Sequence, residues 1–250
     1  MSKSVIITGA SKRIGREIAL GLAQEGWNIA LHYNHSNTEA EIVADEIRKL
    51  GPECILIKAN LERANEVETV LSKASTALGD IHALINNASL FERDTATNFS
   101  VTSWDAHLNV NLRAPALLMR DFANQAKPGA NIINIIDQRI WRLTPDFTSY
   151  TVSKAGLWAL TQTFAQALAS RQVRVNAIGP GPTLPNPRQT QENFDLQASL
   201  VPLTHGATPQ DIVNGVTYIL GARAMTGQMI ALDGGQHLAW QTPDVTEVKE

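Results

Sequence analysis

Short runs rich in β-branched residues alternate with longer segments of helical period along nearly the whole chain. Val5-Ile6-Ile7 is the first run, after which Ile14, Ile18 and Leu22 recur on one helix face. Trp27 to Tyr33, Cys54 to Lys58, Ile81 to Ile85, Asn131 to Ile136, Val173 to Ile178 and Met229 to Leu232 read as further strands. Helices are predicted from about Thr38 to Leu50, Glu66 to Leu78 and Trp104 to Asn124, and on the face marked by Leu157, Leu160, Phe164 and Leu168. Strands separated by helices need crossover connections, which make a parallel sheet. Apolar runs without in-out alternation suit a sheet covered on both faces. The reading is one α/β domain over residues 1–250, a doubly wound parallel sheet with helices on both faces.

Composition leaves that reading alone in the field. A chain of 250 residues can bury a full core, and 44% hydrophobic with 18% charged residues excludes a disordered, fibrous or coiled-coil protein. Lys+Arg 21 against Asp+Glu 24 gives a net charge of −3, with no basic run for nucleic acid. The single cysteine, Cys54, closes no internal disulfide. No apolar stretch approaches the roughly 18 residues of a membrane span. Met1 to Ala10 enters a strand without a signal-peptide layout, so a cytoplasmic location is expected, without nucleic-acid or membrane partners. Gly179 to Pro187, with four prolines, is predicted to exclude regular structure. The polar tail from Gln241 to Glu250 is a candidate for disorder.

Thr8-Gly9-Ala10-Ser11-Lys12-Arg13-Ile14-Gly15 lies between the first strand and the first helix. Glycines there let the backbone approach a phosphate, and the helix N-terminus offers free N–H groups and a positive dipole end. Two glycines alone often mean a plain turn; their place in the first βα unit makes a dinucleotide site of them. An NAD site usually carries an acid at the end of the second strand. Here that stretch is His32-Tyr33-Asn34-His35-Ser36, with no acid until Glu39, while Lys12 and Arg13 add two cations. The missing acid and the added cations favour the 2′-phosphate of NADP.

Tyr150 and Lys154 are one helical turn apart on one face. A phenol titrates near pH 10 and serves as an acid–base group at neutral pH only where a cation stabilises the phenolate, which Lys154 can supply. Asp137 closes an apolar strand at its C-terminal edge, where open parallel sheets collect ligands. In an enclosed, partly apolar site such a carboxyl can hold a proton and donate it. The six histidines show no zinc spacing, and no Gly-x-Ser-x-Gly elbow supports hydrolysis, so neither a metal nor a hydrolase is expected.

Together these residues resemble the short-chain dehydrogenase/reductase family. The likeness runs through Thr8 to Gly15, Asn86-Asn87-Ala88, Asn111, Tyr150 with Lys154, Val175 to Gly181, Thr226-Gly227-Gln228 and Leu232-Asp233-Gly234-Gly235. It implies a Rossmann-type sheet, hydride transfer with NAD(P) and a homotetramer or dimer, the tetramer being expected here. Two departures narrow it. Arg13 stands where most of the family has the middle glycine of Gly-x-x-x-Gly-x-Gly, and Asp137 stands where most have a catalytic serine. Both are similar to the pteridine reductase branch, as is His32-Tyr33 with Ser36. By chemistry alone Phe91 reads as core; the resemblance makes it a stacking platform for a pterin ring.

By that resemblance the catalytic residues are Asp137, Tyr150, Lys154 and Asn111, the last positioning a water beside Lys154. NADPH is expected to be held by Gly9, Ser11, Lys12, Arg13, Ile14, Gly15, His32, Tyr33, Asn34 and Ser36. Asn60, Leu61, Asn87, Ala88, Ser89, Tyr150, Lys154, Pro180 and Gly181 complete the cofactor set; Asn60 replaces the usual aspartate beside adenine. Arg13, Phe91, Asp137 and Tyr150 are expected to meet the substrate, under a lid from Pro180 to about Leu203. The implied activity is NADPH-dependent reduction of a dihydropterin or related pteridine: dihydrobiopterin, dihydromonapterin or dihydrofolate. An NADPH-dependent 3-oxoacyl or sugar-ketone reductase is the alternative. A non-catalytic NADP-binding sensor is a third reading, against which Tyr150, Lys154 and Asn111 are all retained.

Overall fold

A computed structural model describes residues 2–186 and 188–239, so the tail from Gln241 lies outside the described residues. The predicted strands form one parallel sheet: β1 (Ser4–Ile7), β2 (Asn28–Tyr33), β3 (Cys54–Lys58), β4 (Ala83–Asn86), β5 (Asn131–Ile135), β6 (Arg174–Pro180) and β7 (Met229–Leu232). Their order is β3-β2-β1-β4-β5-β6-β7, so the winding reverses between β1 and β4. Ligands of such sheets sit at the carboxyl ends of the strands on either side of that reversal.

Both faces are covered. Helices α1 (Arg13–Gln24) and α2 (Asn37–Leu50) lie on one face with a later helix, Pro209–Gly221, and Val5 and Ile7 point into that layer beside Ile18, Leu22, Val43, Ile47 and Val216. On the other face α3 (Ala64–Leu78) and a long helical stretch after β4 pack around Ile6, Leu84, Val70 and Phe122. That stretch is predicted as one helix over 104–124. It is α4 (Val101–Leu108), a π-turn at Asn109–Arg113 and α5 (Ala114–Gln125). Pro115 sits in the first turn of α5 and has no N–H for the carbonyl one turn back, and the wider π-turn absorbs that missing bond. The helix carrying Tyr150 and Lys154, α6 (Thr148–Leu168), follows β5 on the same face.

The proline-rich stretch is irregular only in part. Strand β6 continues through Gly179 and Pro180, contrary to the expectation of a loop there. The ladder does not need an N–H from Pro180, because the bond at that end runs from Gly181 N to the Leu232 carbonyl at 3.0 Å. Inside the expected lid, Gln191–Ser199 forms helix α7, started by the Thr190 hydroxyl accepting from Asn193 N at 3.2 Å; Pro209–Gly221 is then α8.

Candidate active site

The turn after β1, the loop after β4, the end of β5, the start of α6 and the loop after β6 surround a cavity of about 550 Å³ at the strands' carboxyl ends. The first of these turns is fastened from two sides. Thr8 Oγ1 accepts from Asn87 N and Ala88 N, both at 2.9 Å, and the Asn87 amide donates to the Thr8 and Gly9 carbonyls at 2.9 and 3.1 Å. Gly9 has φ +63, and a Cβ on it would stand 2.9 Å from Ala88 Cα. A Cβ on Gly15 would meet the Gly9 carbonyl at 2.3 Å and the Asn87 amide at 2.4 Å. We expect Gly15→Ala to cost about 1–3 kcal/mol or more, as an overpacked core does, read as a lower melting temperature together with weaker dinucleotide binding.

Helix α1 begins at Arg13, with Lys12 at its N-cap and no side-chain cap, as in α2, α3, α5 and α6. What sets it apart is its place: Lys12, Arg13, Ile14 and Gly15 line the cavity, so its uncapped first turn lies where a phosphate would be held. The two cations beside it diverge. Lys12 pairs with Glu39 of α2 at 2.7 Å, at the end of β2. Arg13, with φ +55, turns the other way and donates to the Pro185 and Leu184 carbonyls at 2.5 and 3.2 Å. The positive φ explains why a glycine suits this position, and an L-residue there carries a strain of about 1–2 kcal/mol. Ser36 occupies the N-cap position of α2 without using its hydroxyl there.

The acid–base group is compact. Tyr150 donates its phenolic proton to Asp137 Oδ2 at 2.8 Å, and Asp137 Oδ1 accepts from Arg139 N at 2.7 Å. Lys154 donates to the Ile135 carbonyl at 2.9 Å. Burial raises the Asp137 pKa above the usual carboxylate range, against the pull of the Arg139 N–H, the Tyr150 hydroxyl and nearby cations. Burial lowers Lys154 to about 8, with Asp137 opposing. Burial and then the Asp137 charge push Tyr150 well above 10. This corrects the expectation that Lys154 lowers the phenol: its ammonium is 5.7 Å from the Tyr150 ring centroid and bonded elsewhere, while the carboxyl is in direct contact. The pair holds a transferable proton on the two oxygens rather than a phenolate.

Most residues expected at the site line the cavity: Gly9, Lys12, Arg13, Ile14, Gly15, His32, Asn34, Asn60, Leu61, Asn87, Ala88, Ser89, Phe91, Asp137, Tyr150, Lys154, Pro180 and Gly181. Four stand behind its wall. Tyr33 packs in the core and donates to Asn37 Oδ1 at 2.7 Å; Ser11 is buried in the turn; Ser36 starts α2. Asn111 is fully buried, its side chain bonded to both Leu90 N and O, at 2.7 and 2.9 Å, and to Ser153 Oγ at 3.0 Å. The Asn111 amide thus clamps the loop after β4 to α6. His32 touches the cavity, but its nitrogens face Gly9 N at 3.1 Å and the Ala59 carbonyl at 3.0 Å, and burial lowers its pKa to about 4. Asn60 uses its side-chain oxygen on Glu62 N at 3.0 Å.

Phe91 is not a free platform. Phe147 stacks on it with centroids 4.4 Å apart and planes 7° from parallel, which leaves no room between the rings for a guanidinium. The Arg188 guanidinium also lies over Phe91, 5.8 Å from the ring centroid, held by the Phe91 carbonyl at 2.6 Å and by Glu92. A flat substrate on Phe91 displaces Arg188. Phe147, Arg139, Arg188 and Asp94, whose carboxylate binds Ser149 N and Oγ at the start of α6, were not foreseen. Their spacing carries no periodic or motif signal; only the fold brings them together.

Among the described residues no helix is long and apolar enough to cross a membrane, and no three His, Cys, Asp or Glu side chains are grouped to hold a metal ion. A family model described as enoyl-(acyl carrier protein) reductase matches residues 9–237. The fold superposes with a TM-score of 0.93 on FolM alternative dihydrofolate reductase 1 from Brucella canis complexed with NADP, 44% identical over 98% of this chain and 97% of that one. A short-chain dehydrogenase from Burkholderia cenocepacia in complex with NADP is 29% identical over 94% of this chain and 97% of its own, with a TM-score of 0.89. By sequence, the 3-oxoacyl-[acyl-carrier-protein] reductase FabG of Staphylococcus epidermidis is 33% identical over 95% of this chain and 100% of its own length.

Proposed function

The chain belongs to the short-chain dehydrogenase/reductase family, and from that premise we propose that it reduces a dihydropterin or related pteridine with NADPH. NADPH is its cofactor, in keeping with the NADP held by the Brucella and Burkholderia proteins. The uncapped start of α1, the glycine turn and Lys12 hold its phosphates, and Lys154 its nicotinamide ribose. When bound, the cofactor supplies a hydride.

One observation carries the choice of substrate: a carboxyl, Asp137, is hydrogen-bonded to Tyr150 where the family usually places a serine hydroxyl. Adding a hydride to the carbon of a C=N bond leaves a nitrogen that must gain a proton. Asp137 and Tyr150 deliver it; as one proton leaves the pair, the 2.8 Å bond lets the remaining one settle on either oxygen. A raised Asp137 pKa suits a donor that is to be protonated near neutral pH. Arg139 N fixes the carboxyl by holding its second oxygen. The 44% identity to a protein described as a dihydrofolate reductase supports the same reading. A homotetramer in the cytoplasm is part of the proposal.

The second reading is an NADPH-dependent carbonyl reductase, favoured by the 33% identity to FabG. The test is NADPH oxidation, followed by its absorbance, with dihydrobiopterin, dihydromonapterin, dihydrofolate and a panel of simple and 3-oxoacyl ketones. Turnover of pteridines is expected. Turnover of ketones alone overturns the proposal.

A further inference from the structure

Two histidines are almost fully buried in the described structure and belong to neither the proton-donating pair nor the cation set: His32 on β2 and His107 on α4, 1% and 0% exposed. Their hydrogen bonds repeat one scheme in mirrored form. His32 Nδ1 accepts from Gly9 N at 3.1 Å and its Nε2 faces the Ala59 carbonyl at 3.0 Å. His107 Nε2 accepts from Glu92 N at 3.1 Å and its Nδ1 faces the Ser103 carbonyl at 2.8 Å. A carbonyl needs an N–H opposite it and a backbone N–H needs a lone pair. The contacts therefore place the hydrogen on Nε2 in His32 and on Nδ1 in His107.

We infer that these rings are paired positioning residues: His32 sets the phosphate-binding turn, and His107 sets the substrate-side loop that carries Phe91. Each accepts from a backbone N–H of a loop that follows a strand end, Gly9 N after β1 and Glu92 N after β4. Gly9 lies just past the end of β1, and its N–H points back at β2. Glu92 follows Phe91, whose ring meets Tyr150 at 4.7 Å, while the His107 ring lies edge-on to Tyr150 at 6.4 Å. A buried imidazole nitrogen left without its partner is costly, so each loop is held to the conformation that keeps its histidine bond. The turn and the loop after β4 touch at Asn87 and Ala88, but Glu92 lies further along that loop, next to Phe91, so the two rings hold stretches that face different ligands. This rests on the proposed function only for His107, because the His32 effect is read with NADPH alone.

The experiment measures the NADPH dissociation constant by cofactor fluorescence without substrate, the substrate KM and the melting temperature. His32→Phe is expected to weaken NADPH binding about tenfold, and His107→Phe to raise substrate KM about tenfold with NADPH affinity held within about twofold. The two nitrogens also predict different rescues. Asparagine places an oxygen near the Nδ1 position and glutamine near Nε2. His32→Asn and His107→Gln should recover their constants, and His32→Gln and His107→Asn should not. If a phenylalanine variant does not fold, the Asn and Gln pair at that position decides. The inference is overturned if both phenylalanine variants shift both constants together, if only melting temperatures fall, or if the rescues are reversed or equal. Ketone turnover in place of pteridine turnover overturns the substrate reading and leaves the NADPH arm standing.

Discussion

Exchanging Asp137 for serine is expected to cut dihydropterin turnover by about a hundredfold or more while moving the NADPH dissociation constant by less than about twofold, the scale of losing one positioned proton donor. The carboxyl is bonded to Tyr150 at 2.8 Å and to Arg139 N at 2.7 Å, and makes no bond to the turn that holds phosphates. Serine restores the group most of the family uses, so a ketone substrate should lose far less than a pteridine. The pH profile gives a second measure. Asp137 donates only while protonated, and its raised pKa keeps it so to higher pH than an ordinary aspartic acid; turnover then falls as pH rises through that value. Lys154 loses its charge on the same side, at about 8. In Asp137→Ser the limb belonging to the carboxyl disappears and the lysine limb remains, moved to lower pH because the carboxylate charge that raised it is gone. Pteridine turnover equal to the unaltered protein removes Asp137 from the reaction.

Lys12→Ala is expected to reduce the preference for NADPH over NADH by about tenfold or more, since a hydrogen bond to a charged group contributes about 1.5–3 kcal/mol. Arg13→Ala should leave that preference in place and raise substrate KM. The two cations are neighbours in sequence and were expected to serve the same phosphate, but they part company. Lys12 reaches Glu39 on the side of β2, where Asn34 and Ser36 also stand, and Arg13 reaches the Leu184 and Pro185 carbonyls across the cavity. Lys12 and Glu39 are both about half exposed, so their pair is weak and yields to a phosphate. Dissociation constants for the two cofactors in both variants decide the matter. Loss of the preference in Arg13→Ala alone reverses the assignment.

The sheet was legible because its cause is local: Val5 to Ile7, Asn131 to Ile136 and the helix faces between such runs carry their own period. So was most of the cavity wall, since Gly9 and Gly15 are needed where this helix starts against a neighbouring loop. What escaped depends on long-range packing. Nothing near Phe91 announces that Phe147 stacks on it from a distant turn, or that Arg188 also lies over it. His32 was read as a cofactor residue from its place at the end of the second strand, and nothing in the sequence showed that its nitrogens bond Gly9 and Ala59. Asn111 was read as positioning a water; the bonds of its side chain to Leu90 and Ser153 had no signal in the sequence. Pro180 was read as a breaker because a proline's missing N–H matters only when a partner asks for it, and β7 does not.

The reversal of winding between β1 and β4 also sets an order of events as the chain folds. β1 meets β2 through a short crossover, with Val5 opposite Ile29, whereas its other flank waits for Ala83. Closing the longer loop costs more entropy and comes later. Until β4 arrives, the Thr8 and Gly9 carbonyls lack the Asn87 amide, and the Thr8 hydroxyl lacks both N–H groups it receives. A nascent chain ending before Asn87 can therefore zip β1, β2 and β3 together and still have no shaped turn for a nucleotide. Coenzyme affinity arises at a definite point in chain growth, and NADPH can stabilise a folding intermediate only after that point.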